Sequence, residues 1–104
     1  MHPLIESHRQ QIAALCQRHG VVRLDVFGSA LRDDFDASRS DFDAVVEFGT
    51  GAAHSGLSQY FGLKSELGEL LQRPIDLVEL KALPDSRLKR IIERSKLPFY
   101  AASA

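Results

Sequence analysis

Apolar residues recur every three or four positions along the N-terminal segment, which is the spacing of one helix face. They are Leu4, Ile5, Ile12, Leu15 and Cys16. This spacing predicts a helix from Leu4 to His19, with Gly20 as its C-terminal stop. A second periodic stretch predicts an amphipathic helix from Leu57 to Gln72, with Tyr60 and Phe61 in the core.

Three short segments rich in β-branched and aromatic residues predict strands. They are Val21 to Phe27, Phe42 to Phe48 and Ile75 to Leu80. A last helix with Asp85 or Ser86 as its cap follows, and the tail from Leu97 to Tyr100 is expected to pack back on the domain. This order of elements predicts an α/β (α+β) fold, a small mixed sheet of about three strands with helices packed on it.

The composition is that of one small soluble domain spanning residues 1–104, with a formal net charge of -1. Such a charge does not fit a protein that holds nucleic acid by neutralising its backbone, although a local basic patch stays open. The single cysteine, Cys16, excludes an internal disulfide and a cysteine-based zinc site. Without a membrane span or a signal-peptide core, a cytoplasmic protein is expected.

Asp41 and Asp43 stand at the start of the second predicted strand. On a strand, residues i and i+2 project to the same side, about 6.5–7 Å apart. Two carboxylates so placed can share a hard divalent cation or bracket a pair of cations. Alone, an Asp-x-Asp pair is more often a pair of solvated turn residues, so its weight depends on what accompanies it.

Gly28 and Ser29 lie between the first strand and a short helical turn, where phosphate binding has three physical supports. Glycine allows close approach of the backbone, the free N–H groups of a helix start point at an anion, and a serine hydroxyl adds a donor. The simpler interpretation is a serine cap after a turn glycine.

Asp76 interrupts the apolar run of the third strand. A carboxylate there is costly unless it is paired, solvated or bound to metal. If it faces the side of Asp41 and Asp43, three carboxylates converge. The alternation along the strand does not decide which face is buried, and Glu47 and Glu79 are expected to face solvent.

Together these segments resemble the DNA polymerase β-like nucleotidyltransferases, and most closely their smallest members, the minimal nucleotidyltransferase (MNT) family. The resemblance extends from Val21 to about Tyr100 and includes an arginine-rich last helix. Its motifs are FGS at Phe27 to Ser29, SDFDAVVEF at Ser40 to Phe48 and PIDLVEL at Pro74 to Leu80.

The resemblance implies a site for Mg²⁺ and ATP. Asp41, Asp43 and Asp76 would hold a pair of Mg²⁺ ions, with Asp76 also helping to deprotonate the attacking hydroxyl. The nucleotide-binding residues it implies are Gly28, Ser29, Arg32 and Ser40. The sequence departs from the family pattern in two places: 11 residues separate Ser29 from Asp41, where about ten are usual, and Asp33 replaces a glycine.

By the same resemblance, the partner is a HEPN ribonuclease toxin, because MNT proteins are antitoxins that transfer AMP to a tyrosine of such a toxin. So short a chain leaves little to grip an acceptor, which is therefore expected to be presented by another macromolecule. Two alternatives stay open: a catalytically weak or inactive MNT fold that neutralises its toxin by binding alone, and the substrate-binding half of a small-molecule nucleotidyltransferase whose other domain is a separate chain. Arg87, Arg90 and Arg94 form either a solvated basic face or a docking surface for an acidic partner.

Overall fold

One mixed sheet organises the protein in the computed structural model, which describes residues 2–31, 40–49 and 56–102. Its strands are β1 (Val21–Phe27), β2 (Phe42–Phe48), β3 (Ile75–Val78) and β4 (Leu97–Ala101). The sheet order is β3-β2-β1-β4, with β1 antiparallel to both β2 and β4, and β2 parallel to β3. The helices are α1 (Pro3–Ser7), α2 (Arg9–Arg18), α3 (Gly56–Leu71) and α4 (Arg87–Ser95), and 3₁₀ turns span Gly28–Leu31 and Leu80–Ala82.

The two faces of the sheet differ in chemistry because side chains alternate along each strand. The core face carries buried apolar residues, namely Leu24, Val26, Phe42, Ala44, Val46, Ile75 and Leu77. Residues of α2 and α3, including Cys16 and Leu67, belong to the same core cluster. The opposite side, which we call the open face, carries Asp25, Phe27, Asp43, Val45 and Asp76.

The predicted fold class is confirmed, but the sheet has four strands instead of about three. The segment expected only to pack back on the domain is β4, which pairs with β1. Pro98 argues against a strand in the sequence, since proline cannot donate a hydrogen bond to a sheet ladder. β4 lies at the edge of the sheet, where that loss is tolerated.

Two helical predictions need correction. The N-terminal helix is divided at His8, where a ring nitrogen of His8 and the Ser7 hydroxyl both lie 2.8 Å from the Leu4 carbonyl oxygen. Such local side-chain bonds compete with the helix ladder. On α3, Tyr60 packs on the core and donates to the Leu77 carbonyl at 2.6 Å, but Phe61 is exposed.

The described helices are all shorter than a typical membrane-spanning helix. The longest of them, α3, has 16 residues, and no helix in the described ranges is long and apolar enough to cross a bilayer.

Candidate active site

Asp43 and Asp76 lie side by side on the open face. They are register partners in the parallel pair of β2 and β3, so their Cα atoms are separated by one strand spacing of about 4.8 Å. β3 turns Ile75 and Leu77 into the core and leaves Asp76 exposed. The pairing thus settles the question that the alternation of β3 left open: Asp76 faces the same side as Asp43.

Gly28 completes this corner of the sheet. It begins the 3₁₀ turn after β1, next to Phe27, which is the register partner of Asp43. Its φ of 73° lies in the left-handed region that favours glycine. A Cβ at this position would overlap Asp43 Oδ2 and lie 3.0 Å from Asp43 Cγ. The backbone of the turn can therefore lie against the Asp43 carboxylate only because residue 28 has no side chain.

The other predicted residues lie around this corner or outside the described ranges. Asp41 is exposed and directly precedes β2. Ser40 is half-buried, and its carbonyl oxygen accepts from Arg73 Nη1 at 3.2 Å, which ties the start of β2 to the residues before β3. Ser29 lies in the 3₁₀ turn, but the prediction for its hydroxyl, like that for Arg32, falls outside what the structure describes.

The carboxylate oxygens of Asp43 and Asp76 are donors of the kind that a hard divalent cation such as Mg²⁺ takes. Because Gly28 has no side chain, the backbone of the turn lies directly against the Asp43 carboxylate. Within residues 2–31, 40–49 and 56–102, no three acidic, histidine or cysteine side chains meet in an arrangement that holds a metal ion. The described geometry therefore provides a pair of carboxylates, and Asp41 is not drawn into a three-residue cluster.

Sequence reasoning missed a buried ion pair on the same face. Asp25 is only 2% exposed, and its carboxylate accepts from Lys96 Nζ at 2.8 Å and from Arg23 Nε at 3.0 Å. The sequence does mark Asp25 as unusual, since it interrupts an apolar strand as Asp76 does. The two differ in their partners: Asp25 is covered by Lys96, whereas Asp76 remains exposed.

A cleft of about 370 Å³ continues along the open face from this ion pair. Its charged lining residues are Arg23, Asp25, Glu47, Glu79, Lys81 and Lys96. Val45, the register partner of Asp25, forms part of its floor and lies two residues from Asp43. Glu47 is exposed, as expected, while Glu79 is half-buried at the cleft. The cleft therefore begins about 7 Å along β2 from the paired carboxylates.

Three kinds of similarity accompany this geometry. Residues 8–98 match a family model described as a nucleotidyltransferase domain. A Methanocaldococcus jannaschii protein named a protein adenylyltransferase is 31% identical over 91 residues, which cover 88% of this chain and 94% of that protein. A solved structure described as a minimal nucleotidyltransferase is 34% identical, with a TM-score of 0.73 over 90% of this chain and 91% of that one.

More distant structures share the fold. A crystal structure described as a toxin–antitoxin with AMP-PNP has a TM-score of 0.67 at 18% identity, over 90% of this chain and 73% of that one. A toxin–antitoxin structure described as MntA-HepT has a TM-score of 0.64 at 16% identity, over 93% and 73% of the two chains. At these identities the likeness is one of fold.

Proposed function

The chain belongs to the nucleotidyltransferase domain family, and from that premise we propose that it transfers AMP from ATP to a hydroxyl of a HEPN-type toxin protein, most simply a tyrosine, and so acts as an antitoxin. One observation carries the catalytic part of the proposal. The left-handed turn at Gly28 packs against Asp43, and Asp43 stands in register with Asp76. The glycine turn and the carboxylate pair thus share one corner of the sheet, which supports a role for the turn as the phosphate cradle of the proposed site.

In the proposed site, the residues divide the work between binding and proton transfer. The backbone amides of Gly28 and Ser29 bind the β- and γ-phosphates, since amides at the start of a helical turn point at an anion. Asp43 and Asp76, with Asp41, are the residues that would hold Mg²⁺, which supplies neutralisation of the triphosphate charge when bound. Arg32 and Ser40 are proposed nucleotide contacts beside them.

The transfer then requires one substitution at phosphorus. The acceptor hydroxyl oxygen forms a bond to the α-phosphorus, the bond from that phosphorus to the β-phosphate bridging oxygen breaks, and pyrophosphate leaves. The hydroxyl proton passes to the Asp76 carboxylate, which is exposed and so accessible to an acceptor that arrives from solvent. Positioning and charge neutralisation together supply the rate enhancement.

Two features support a protein acceptor. The relative from Methanocaldococcus jannaschii is named a protein adenylyltransferase, and the chain covers 94% of its length. The exposed setting of Asp76 and the adjoining cleft leave the open face accessible to a macromolecule. The toxin setting rests on the fold shared with toxin–antitoxin structures.

A second candidate function is neutralisation of the toxin by binding alone. It is favoured by the exposed position of Asp41 and by the lack of a three-ligand metal arrangement among the described residues. In this case the fold serves as a binding module, and the carboxylates contribute nothing to neutralisation.

The test incubates the purified protein with ATP labelled at the α-phosphate, Mg²⁺ and the HEPN-type protein encoded by the adjacent gene. Label is expected on the acceptor, with none from ATP labelled at the γ-phosphate, and chelation of Mg²⁺ should abolish it. Asp43→Asn and Asp76→Asn should each lower the rate by about 10²-fold or more. Glu69→Gln is the matched control, because Glu69 is an exposed carboxylate on α3, which packs on the core face of the sheet.

Each outcome separates the two candidates. Label transfer at the wild-type rate by Asp43→Asn would refute the proposed site. Full neutralisation of the toxin by Asp43→Asn, with no label on either protein, would establish the binding module in place of the enzyme.

A further inference from the structure

Helix α4 exposes an apolar stripe. Its N-cap is Ser86, whose hydroxyl accepts from the Lys89 amide at 3.2 Å, and the helix buries one residue, Ile92. Leu88 and Ile91 remain 59% and 51% exposed. They are three residues apart and so share one side of the helix. Side chains of this size are normally the ones that a surface helix turns inward.

A basic stripe borders these two residues. Arg87, Arg90 and Arg94 follow each other at intervals of three and four, which places them along the next strip of the helix surface. Arg90 lies 3.5 Å from Asp85, but both side chains are exposed, so this pair does little to neutralise the stripe. An apolar centre with an arginine rim is the composition of a protein–protein interface.

The net charge of α4 also indicates the charge of the partner that would bind it. The nine residues of α4 contain four basic side chains and one acidic one, hence +3, whereas the whole chain carries -1. The remainder of the chain therefore carries -1 - 3 = -4. The positive charge is concentrated beside the exposed apolar residues, and acidic groups on a partner would complement it.

The end of α4 leads onto the open face. Lys96, the residue after the helix, reaches the buried Asp25 carboxylate at 2.8 Å. Asp25 is the register partner of Val45, which is two residues from Asp43 on the same face of β2. The C-terminal end of α4 therefore adjoins the face that carries the paired carboxylates.

We propose that Leu88 and Ile91, bordered by Arg87, Arg90 and Arg94, form the docking surface for the protein acceptor, and that the surface takes an acidic amphipathic helix of that acceptor. The proposal rests on the proposed function for the identity of the partner. Docking would supply the local concentration and orientation of the acceptor hydroxyl that the small catalytic corner does not supply itself. The exposed aliphatic pair distinguishes this surface from a purely electrostatic nucleic-acid patch.

The first experiment measures binding with a defined probe. The probe is a synthetic helical peptide with a leucine stripe flanked by glutamates, and its twin has lysines in place of the glutamates. The glutamate peptide should bind the wild type. Its affinity for Leu88→Ser/Ile91→Ser and for Arg87→Glu/Arg94→Glu should be about tenfold or more lower. The lysine twin should prefer the charge-reversed variant, which is the rescue that charge complementarity requires.

The matched control is Leu57→Ser/Phe61→Ser, which removes two exposed apolar residues from α3 without touching the basic stripe. It should bind the glutamate peptide as the wild type does. Equal affinity of the wild type and Leu88→Ser/Ile91→Ser for that peptide would overturn the proposal, as would equal affinity for the two peptides. A homodimer that Leu88→Ser/Ile91→Ser dissociates in sedimentation would assign the surface to a second copy instead, and variant-sensitive binding to phosphatidylserine vesicles would assign it to a membrane.

The second experiment measures AMP transfer to the HEPN-type acceptor. Leu88→Ser/Ile91→Ser should raise the KM for the acceptor about tenfold or more and leave the KM for ATP unchanged. If the wild type transfers label and this KM does not rise, docking on α4 is refuted while the proposed function stands. If the wild type transfers nothing, the proposed function fails, and the peptide experiment still decides whether α4 binds an acidic helix.

Discussion

Substitution of Gly28 by alanine combines two effects that the structure allows to be calculated separately. The first is backbone strain: an L residue held at a φ of 73° costs about 1–2 kcal/mol. The second is steric, because the new methyl group would overlap Asp43 Oδ2 and lie 3.0 Å from Asp43 Cγ. Only the second effect reaches the proposed catalytic carboxylate.

The magnitude of the steric effect follows from ordinary contact distances. Carbon atoms in contact lie about 3.5–4.0 Å apart, so Asp43 Cγ must retreat by at least about 0.5–1 Å, and Oδ2, which the methyl group overlaps, by more. A misplacement of about 1 Å at a reacting centre lowers the rate by about 10²-fold. The backbone strain lowers the melting temperature by about 4–8 °C for each kcal/mol in a domain of this size.

Gly20→Ala is the matched control. Gly20 has a φ of 72° and precedes β1, whereas Gly28 follows it, so the control carries the same strain at the far end of the strand. Thermal melts and initial rates of AMP transfer, measured well below both melting temperatures, separate the two effects. Both variants should lose stability, and only Gly28→Ala should lose about 10²-fold in rate.

The reasoning would be refuted by a Gly28→Ala protein that melts like Gly20→Ala and transfers AMP at the wild-type rate. It would be refuted equally by rates that fall to the same extent in both variants, since strain alone would then account for the loss.

Three further predictions concern stability. Lys96→Met leaves the buried carboxylate of Asp25 with Arg23 alone, and it should lower the free energy of unfolding by about 3 kcal/mol in urea titrations. Adding Asp25→Asn should restore most of that loss, and an unchanged midpoint for Lys96→Met would contradict the ion pair. Ser86→Ala removes the N-cap of α4 and should cost about 1 kcal/mol in the same assay, whereas no loss would mean that the hydroxyl does not cap the helix. Burial raises the pKa of the Cys16 thiol from its ordinary 9.0 to about 12, so the thiolate forms first in the unfolded chain. Stability is therefore complete below pH 9.0 and falls by about 1.4 kcal/mol per unit as the pH rises from there towards 12. Cys16→Ala should lack this slope, and identical slopes in the two proteins would refute a buried thiol.

The sequence predicted best what depends on neighbouring residues. The strand predicted from Phe42 to Phe48 is confirmed with the same bounds, because its β-branched and aromatic residues are a local signal. The cap of α4 at Ser86 is local too, and the structure confirms it as one of the two predicted choices. The resemblance to nucleotidyltransferases, carried by short motifs, is confirmed as well. The roles assigned to the individual site residues stay predictions.

What the sequence could not give depends on distant pairing. The face of Asp76 is decided by its register with Asp43, which no periodicity within a four-residue strand determines. Asp25 interrupts an apolar strand, but its partner Lys96 lies 71 positions away, so the sequence alone does not show whether this carboxylate is buried and paired or solvated. The exposure of Phe61 follows from which side of α3 meets the sheet, and the helical period does not fix that choice for a residue at the margin of the stripe.

The parallel pairing of β2 with β3 has a consequence for how the proposed catalytic corner is lost. Asp43 and Asp76 stand on parallel strands that are connected through α3, so their proximity is a contact of long sequence separation. β3 is also an edge strand of four residues. Ile75 and Leu77 of the same strand belong to the hydrophobic core, so detachment of β3 would separate the carboxylates and open the core together. The proposed activity and the packing of the core should therefore be lost in one transition on heating.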